Sequence, residues 1–232
     1  MQDALVRLEM LVGEEKVASL WDKRVLVFGL GGVGGHCVDA LSRSGIGHFG
    51  IVDHDVVSIS NINRQLIATR SSIGKKKVDV MEAHLLDINP DIKVQKYDLF
   101  YLPETADSID FSSYDYVVDC IDTVAAKVEI IERCYKLGVP VISALGCGNK
   151  LDPTQLAIKD IFETSNDPLA KVLRQKLRKL GIPSLKVVTS LEQPMKPLFN
   201  PEEKHVPGSS AFVPSSAGIL MAKAVIFDLL NM

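Results

Sequence analysis

A glycine-rich turn after a short apolar strand constrains the fold of this chain more than any other feature. The turn lies in residues 24–34, which read RVLVFGLGGVG. The apolar run at residues 25–28 suits a buried strand and is too short for a buried helix. Four glycines follow it, namely Gly29, Gly31, Gly32 and Gly34. Their G-x-G-x-x-G spacing lets a phosphate approach backbone N–H groups at a helix N-terminus, although tight strand–helix packing also selects glycines.

An acid downstream of the glycines strengthens the nucleotide interpretation. The next apolar strand, FGIVD, ends in Asp53. In nucleotide-binding folds an acid about twenty residues after the glycine turn binds the ribose. The combination of glycines, strand and acid therefore predicts a ligand with an adenosine end.

The loop after this strand is unusually polar and reads DHDVVSISNINRQ. Its candidate cofactor-binding residues are Asp55, Asn61, Arg64 and Gln65. The loop is either a solvated turn built on asparagines or a phosphate site in which Arg64 donates to phosphate oxygens. The residues alone leave both interpretations open.

Charged residues mark two further strand and helix ends. We expect Lys75, Lys76 and Lys77 in the first turn of a helix, where cations are unfavourable unless an anion or solvent faces them. Asp119 and Asp122 follow the apolar strand in YDYVVDCID, at the sheet edge where α/β proteins bind ligands. Asp122 either caps the next helix or helps to hold magnesium on a triphosphate.

Strands and helices alternate between residues 24 and 145. We therefore predict an α/β fold with a doubly wound, Rossmann-like, mostly parallel sheet, extended by C-terminal antiparallel strands and helices. Residues 1–232 form a single domain in this interpretation. Its parts are an N-terminal helical segment (1–23), a nucleotide-binding core (24–145) and a C-terminal substrate or dimer region (146–232) with a mobile loop at 192–209.

A formal net charge of −3 gives the chain no overall attraction to nucleic acid, so such a partner needs a local basic patch. One predicted helix, DPLAKVLRQKLRKLG, has the required cations. They are Lys171, Arg174, Lys176, Arg178 and Lys179. Most helix faces of one charge are solvated surface, but this is the best local candidate for contact with an RNA backbone.

The remaining composition favours a cytoplasmic protein. The four cysteines form no C-x-x-C pair, so a zinc site is not expected, and the N-terminus has no signal-peptide pattern. The final apolar helix contains Lys223 and Asp228 and is shorter than the ~20 apolar residues of a membrane span. We expect it to be a core or dimer helix and expect no membrane partner.

Four motifs together resemble one enzyme family. GLGGVG, VDHDVVSISNINRQ, GKKKVD and DCIDT occur in the order typical of the ubiquitin-activating-type adenylating enzymes, which include the molybdopterin and thiamine sulfur-carrier adenylyltransferases. That resemblance implies a fold that binds ATP rather than a dinucleotide and an activity that adenylates a carboxylate.

By position, the resemblance implies that Asp53 holds the ribose, that Asn61 and Arg64 contact the ATP phosphates, and that Gln65 completes this motif. It also implies catalytic roles for three side chains besides Arg64.

Lys77 would neutralise developing phosphate charge, Asp122 would position Mg²⁺, and Arg7 would reach the site of a partner subunit. Taken alone, Arg7 is simply a solvated arginine.

The C-terminal part of the chain narrows the resemblance. NKLDPTQLAIKDIFETSNDPLAKVLRQKLRKLGI and SSAFVPSSAGILMAK resemble the tRNA threonylcarbamoyladenosine dehydratases, and the similarity extends from about Glu9 to the C-terminus. The implied reaction uses ATP to activate the carboxylate of threonylcarbamoyladenosine beside the tRNA anticodon, after which ring closure expels AMP. The implied partners are tRNA, a second copy of the chain and a sulfur-transfer protein.

Two other functions stay open. A carrier-protein adenylyltransferase would activate a small protein ending in Gly-Gly, but paired zinc cysteines and a cysteine in the loop 192–209 are missing. A nucleotide-binding module without chemistry would not need Arg64, Lys77 and Asp122, which form a charge-stabilising set around phosphates.

Overall fold

One seven-stranded sheet organises the part of the chain that the computed structural model describes, residues 2–165, 167–199 and 207–232. Its strands are β1 (Arg24–Phe28), β2 (His48–Val52), β3 (Lys93–Tyr97), β4 (Tyr116–Asp119), β5 (Val141–Ala144), β6 (Leu156–Asp160) and β7 (Lys186–Ser190). In space they follow the order β3-β2-β1-β4-β5-β7-β6. Neighbouring strands are parallel except β6 and β7. This arrangement confirms the predicted fold class.

Helices cover both faces of this sheet. They are α1 (Gln2–Val12), α2 (Glu14–Ser19), α3 (Gly34–Arg43), α4 (Lys77–Ile88), α5 (Val124–Leu137), α6 (Pro168–Lys179) and α7 (Phe212–Leu229). Alternate residues of a strand point to opposite faces. Accordingly Val25 and Val27 pack in a core with α3, α4 and α7, whereas Leu26 and Phe28 pack in a second core with α5.

The strand order places a binding crevice beside β1. The chain moves from β1 to β2 and β3 on one side and then returns to β4 on the other side. Ligands of open α/β sheets bind outside the carboxyl ends of the strands at such a switch point. The turn after β1 therefore faces the crevice.

Two helix predictions need correction. The predicted N-terminal helical segment (1–23) is not one helix, because Gly13, whose φ of 98° cannot belong to a right-handed helix, divides it into α1 and α2. Helix α4 begins at Lys77, so Lys75 and Lys76 precede its first turn. Of the three lysines, only Lys77 lies within the helix, and Lys76 is its N-cap residue.

The described sheet continues beyond residue 145. The region of β6 was predicted to form an antiparallel strand. β7 was not predicted, and it lies between β5 and β6. The two sides of the predicted boundary at residue 145 thus share one sheet. In the predicted mobile loop 192–209, residues 200–206 lie outside the described residues, and the described parts contain no helix or strand.

Helix α7 passes close to the glycine turn. A Cβ on Gly218 would lie 2.2 Å from the Val33 carbonyl oxygen, so the glycine allows α7 and α3 to approach. By length and composition α7 is apolar enough to cross a membrane, but half of it is buried inside the protein. Its packing against α3 and the sheet agrees with the expected core helix.

Candidate nucleotide-binding and catalytic site

A cavity of about 540 Å³ opens at the carboxyl ends of β1, β2, β4 and β5. Ten of the eleven predicted cofactor-binding residues line it: Gly29, Gly31, Gly32, Asp53, Asp55, Asn61, Arg64, Gln65, Lys77 and Asp122. Gly34 and Arg7 are not among the lining residues. The fold thus brings four separate sequence motifs to one place.

The glycines of the turn have different structural tasks. Gly29 has a φ of 85°, and a Cβ there would lie 3.0 Å from the Cys120 carbonyl oxygen. A Cβ on Gly34 would lie 1.8 Å from the Gly29 carbonyl oxygen, so Gly34 serves close helix–strand packing rather than ligand contact. Only the far end of the Gln65 side chain lies near a Cβ built on Gly31, at 3.9 Å, which leaves the backbone there accessible.

Backbone N–H groups at the start of α3 are available to an anion. Within the described residues, Leu30 N–H donates to Asp53 Oδ2 at 2.7 Å, whereas the N–H groups of Gly31, Gly32 and Val33 have no acceptor. These three residues line the cavity. Unpaired N–H groups at a helix N-terminus form an anion-binding site.

A buried lysine faces the acids that end β2. The Lys77 side chain lies within the protein, and its residue is 4% exposed. Its Nζ lies 2.6 Å from Asp55 Oδ2 and 3.8 Å from Asp53 Oδ2. Asp53 also accepts from the N–H of Asp55 at 2.9 Å, so this carboxylate fixes both the acidic turn and the glycine turn. In contrast, Lys76 points to Asp98 outside the cavity lining.

The polar loop combines turn formation with ligand-facing groups. Asn61 Oδ1 accepts from Ser58 N–H at 3.0 Å and caps a short 3₁₀ helix. Arg64 donates through Nη1 to the Ser60 carbonyl and to Asn63 Oδ1, and it has no carboxylate partner in the described part of the chain. The turn interpretation is therefore observed, and the phosphate interpretation stays a prediction that the Arg64 guanidinium beside the cavity permits.

Gln65 provides an independent sign of a ligand. The residue is 8% exposed, and its Oε1 has no hydrogen-bond partner among the described residues. A buried polar atom without a partner costs about 1–3 kcal/mol. A hydrogen-bond donor of a bound molecule in the cavity would remove this cost.

The two acids predicted at the end of β4, Asp119 and Asp122, have different surroundings. Asp119 is fully buried, with its Oδ2 at 2.8 Å from Lys127 Nζ, and both side chains have no exposed surface. Ser143 Oγ donates to the same carboxylate oxygen. The prediction that Asp119 and Asp122 share a ligand site is thus wrong for Asp119, whose charge is neutralised inside the protein.

Asp122 remains available to a ligand. Thr123, not Asp122, is the N-cap of α5, so the alternative capping role is not observed. The Asp122 side chain is exposed in the cavity lining and makes no hydrogen bond or ion pair with any described residue. Free carboxylate oxygens of this kind are suitable Mg²⁺ ligands.

A second group of possible metal ligands is less suitable. Asp53, His54 and Asp55 bring their ligand atoms within 4.8 Å of one another. The Lys77 ammonium group already lies against both carboxylates. A cation at this position would meet an existing positive charge, which leaves Asp122 as the better metal ligand.

Two thiols also line the cavity, at Cys120 and Cys147. Burial raises the pKa of the Cys147 thiol to about 11 and that of the Cys120 thiol well above its ordinary value. Both side chains are protonated at neutral pH. Because the thiolate is the nucleophilic form, the cavity has no activated cysteine.

The basic helix α6 begins at the edge of the cavity, where Leu169 is a lining residue. Two of its five cations already have partners. Arg174 donates to the carbonyl oxygen of Thr164 at 3.0 Å, and Arg178 lies over the ring of Phe162 at 5.2 Å. Lys171, Lys176 and Lys179 are exposed and unpaired among the described residues. Because the partners of Arg174 and Arg178 are neutral, all five cations of α6 lack an anionic partner among the described residues, and the three lysines make no hydrogen bond with these residues either.

Arg7 lies far from the cavity of its own chain. It is exposed on α1, and Leu5 of the same helix packs beside Gly45 at the amino end of β2. The cavity lies at the carboxyl ends of the strands. The structure of one chain therefore does not bring Arg7 together with the other predicted catalytic residues.

Part of the cavity wall was missed in the sequence. It comprises residues 144–148 after β5 and residues 207–209 before α7. The first stretch follows a strand that was predicted, so the same strand-end rule that selected Asp53 and Asp122 could have found it. Residues 207–209 end the predicted loop 192–209, but only the tertiary fold places them at the cavity.

Comparisons with known proteins agree with these motifs. The ThiF family model matches residues 5–189. A tRNA threonylcarbamoyladenosine dehydratase of Bacillus subtilis is 43% identical and covers 97% of this chain and 94% of that protein. The Escherichia coli dehydratase is 37% identical over 72% of this chain and 63% of that protein.

Solved structures give the same result. A crystal structure of the E. coli tRNA N6-threonylcarbamoyladenosine dehydratase in complex with ATP has a TM-score of 0.89 and 30% identity, and the match covers 99% of this chain and 95% of that chain. The resemblance predicted from the motifs is confirmed. The chain belongs to the ThiF family and, within it, to the tRNA threonylcarbamoyladenosine dehydratases.

Proposed function

We propose that this protein uses ATP to adenylate and cyclise N6-threonylcarbamoyladenosine in tRNA. The observation that carries the proposal is the group of three N–H groups at the start of α3 that have no acceptor among the described residues, beside Lys77 and Arg64 in one cavity. This set suits a triphosphate. The dehydratases to which the chain is similar, one of them in a complex with ATP, supply the substrate class.

The residues of the cavity suit the different parts of ATP. The turn at Gly31 and the N-terminus of α3 would receive phosphates, and Asp53 would accept hydrogen bonds from the ribose hydroxyl groups. The unpartnered Oε1 of Gln65 is an acceptor that a bound nucleotide could satisfy. Among the described residues, the Arg64 guanidinium is bound only to neutral oxygens, so it is available to a phosphate.

Lys77 and Asp122 would act on the charge of the reacting phosphates. Burial keeps the Lys77 ammonium in a medium of low dielectric constant, where it stabilises nearby negative charge more strongly than in water. Asp122 would hold Mg²⁺ with its free carboxylate. When bound, the metal ion would neutralise charge on the triphosphate.

The reaction needs no covalent relay through the protein. A carboxylate oxygen of the threonylcarbamoyl group attacks the α-phosphorus of ATP and pyrophosphate leaves. The threonylcarbamoyl group then attacks its own activated carboxyl carbon and expels AMP. Since this second attack is intramolecular, its effective molarity is high. The raised pKa of the thiols of Cys120 and Cys147 agrees with a route without a thioester.

The tRNA would lie along α6. Lys171, Lys176 and Lys179 are free to contact phosphates, and the helix begins at the cavity. A tRNA whose phosphate backbone is bound along α6 would direct its modified base toward ATP in the cavity. The overall charge of −3 makes such a local patch necessary.

A second copy of the chain would complete the site. Arg7 would then act on the phosphates of its partner, because its own cavity is at the other end of the sheet. Exposed Met10 and Leu11 on the same helix would be covered in that dimer. A cytoplasmic location and a sulfur-transfer protein as a further partner belong to the same proposal.

Mass spectrometry of tRNA nucleosides tests the reaction. The protein is incubated with tRNA that carries threonylcarbamoyladenosine, ATP and Mg²⁺, and we expect loss of one water from the modified nucleoside. The isosteric Asp122→Asn variant should lose most of this activity. Pyrophosphate exchange that depends on a carrier protein ending in Gly-Gly, without water loss, would instead identify a carrier adenylyltransferase.

A further inference from the structure

Residues 207–209 form a wall segment of the cavity, and one residue outside the predicted site holds them in place. Asn149 N–H donates to the Gly208 carbonyl at 2.7 Å, and Gly208 N–H donates to Asn149 Oδ1 at 2.6 Å. The Asn149 carbonyl accepts from Met195 N–H at 2.7 Å. A single residue therefore fixes both the wall segment and the chain around Met195.

The backbone of Asn149 is adapted to this task. Its φ of 59° lies in the left-handed region, which among the described non-glycine residues is shared only by Asn231. This conformation is unfavourable for most side chains and is tolerated by asparagine. It turns the N–H group and the side chain of Asn149 toward the same residue, Gly208.

A continuous series of hydrogen bonds leads from the wall segment to Arg64. The carbonyl oxygen of Ser209, next to Gly208, accepts from Asn63 Nδ2 at 3.0 Å. Asn63 Oδ1 in turn accepts from Arg64 Nη1 at 2.9 Å. In the described part of the chain, the guanidinium has one other acceptor, the carbonyl oxygen of Ser60. The direction of Arg64 thus depends in part on the position of Ser209.

We propose that Asn149 is a positioning residue that orients Arg64 toward the ATP phosphates through the wall segment and Asn63. It touches neither the nucleotide nor the reacting atoms. Within this proposal the guanidinium binds the β- and γ-phosphates, which AMP lacks, and the effect of Asn149 therefore falls on these groups and not on the adenosine end near Asp53. The proposal rests on the proposed function only for the presence of ATP in the cavity.

Nucleotide affinities measured by calorimetry test this role. Asn149→Gly keeps the positive φ, which glycine adopts freely, and removes the acceptor for Gly208. We expect ATP to bind about fivefold more weakly, the effect of losing one hydrogen bond, while the affinity for AMP changes less than about twofold. Asn231→Gly makes the same exchange at the other left-handed asparagine and should change neither affinity.

A double-mutant cycle separates positioning from general weakening. Asn63→Ala should reproduce the selective loss of ATP affinity. The Asn149→Gly/Asn63→Ala double variant should be no weaker than the weaker single variant, because both changes interrupt one connection. Equal losses for ATP and AMP, unchanged ATP affinity, or multiplied effects in the double variant would overturn the proposal.

The outcome is separable from that of the proposed reaction. A wild-type protein that binds ATP but dehydrates no tRNA would contradict the reaction and leave the affinity test valid. A wild-type protein that binds neither nucleotide would overturn both.

Discussion

At the scale of single residues, neighbouring side chains of the same type have opposite surroundings. Lys76 and Lys77 are adjacent, yet Lys76 is exposed and pairs with Asp98, whereas Lys77 is buried against Asp53 and Asp55 in the cavity. The difference arises where α4 begins, because the first helical residue turns inward. The two lysines therefore form a matched pair for mutagenesis.

Lys77→Met should lower the rate of tRNA-dependent AMP formation about 100-fold or more, the usual effect of removing a preorganised charge from a catalytic site. The same substitution at Lys76 should change the rate less than about twofold, since that side chain does not line the cavity. Single-turnover assays with saturating ATP measure both variants. Similar rate losses in the two variants would contradict the role of Lys77.

The thiol of Cys147 should react slowly despite its place in the cavity. With its pKa raised to about 11, its thiolate fraction at pH 7.5 is about two orders of magnitude below that of an ordinary cysteine. Alkylation by iodoacetamide should therefore be correspondingly slow and should accelerate about tenfold for each pH unit up to about pH 11. Peptide mass spectrometry follows the modification, and fast alkylation at neutral pH would contradict the inferred burial of the thiol.

The limits of sequence reasoning are visible in Asp119 and Asp122. Both follow the same strand, and the strand-end rule selects them equally. Their difference depends on Lys127, which lies one turn into α5 and reaches back to Asp119 inside the protein. Such a contact depends on helix packing, so the sequence cannot separate the buried acid from the free one.

At the scale of elements, the turn between β1 and α3 controls the site. Gly34 allows α3 to touch the carbonyl of Gly29, while Gly35 lies one residue further into the helix. A Cβ on Gly35 would meet the Leu30 carbonyl oxygen at 3.5 Å and side chains at 3.7 Å, which are ordinary contacts. The two adjacent glycines thus differ in what they permit.

Gly34→Ala should destabilise the protein strongly, by about 3 kcal/mol or more, because the strand and helix must move apart. Gly35→Ala should be neutral or stabilising by up to about 1 kcal/mol, because alanine favours a helix. Urea unfolding measures both changes. A Gly34→Ala protein as stable as the wild type would refute the close packing of this turn.

The elements predicted from sequence are those with strong local patterns. β1, β2 and β4 are apolar runs followed by glycine or acid, and Gly138 ends α5 with a φ of 68°. β7 was missed because KVVTS contains only two apolar residues, and it becomes a strand by pairing with β5 and β6. Pairing partners that are distant in sequence leave no local signal.

At the scale of the whole molecule, charge is distributed unevenly around a slightly acidic chain. Helix α6, which carries three free lysines, begins at the cavity. Three other lysines lie near the opposite, amino ends of the strands: Lys16 on α2, Lys93 on β3 and Lys136 on α5. Two sets of three lysines can therefore be changed with the same effect on net charge.

Changing Lys171, Lys176 and Lys179 together to Gln should weaken tRNA binding and reduce the slope of log affinity against log salt by about two, since each lost phosphate contact contributes about 0.7–0.9. The matched triple change of Lys16, Lys93 and Lys136 should leave the slope nearly unchanged. Filter binding at several salt concentrations measures both. Equal slopes for the two triple variants would exclude α6 as the tRNA contact.

The most direct test of ATP-dependent cyclisation follows the oxygen atoms. The carboxylate of threonylcarbamoyladenosine in tRNA is labelled with a heavy oxygen isotope, and the labelled tRNA reacts with the protein, ATP and Mg²⁺. If the carboxylate attacks the α-phosphorus, mass spectrometry will find one labelled oxygen in AMP and a nucleoside that has lost one water. A dehydrated nucleoside accompanied by unlabelled AMP would contradict carboxylate adenylation.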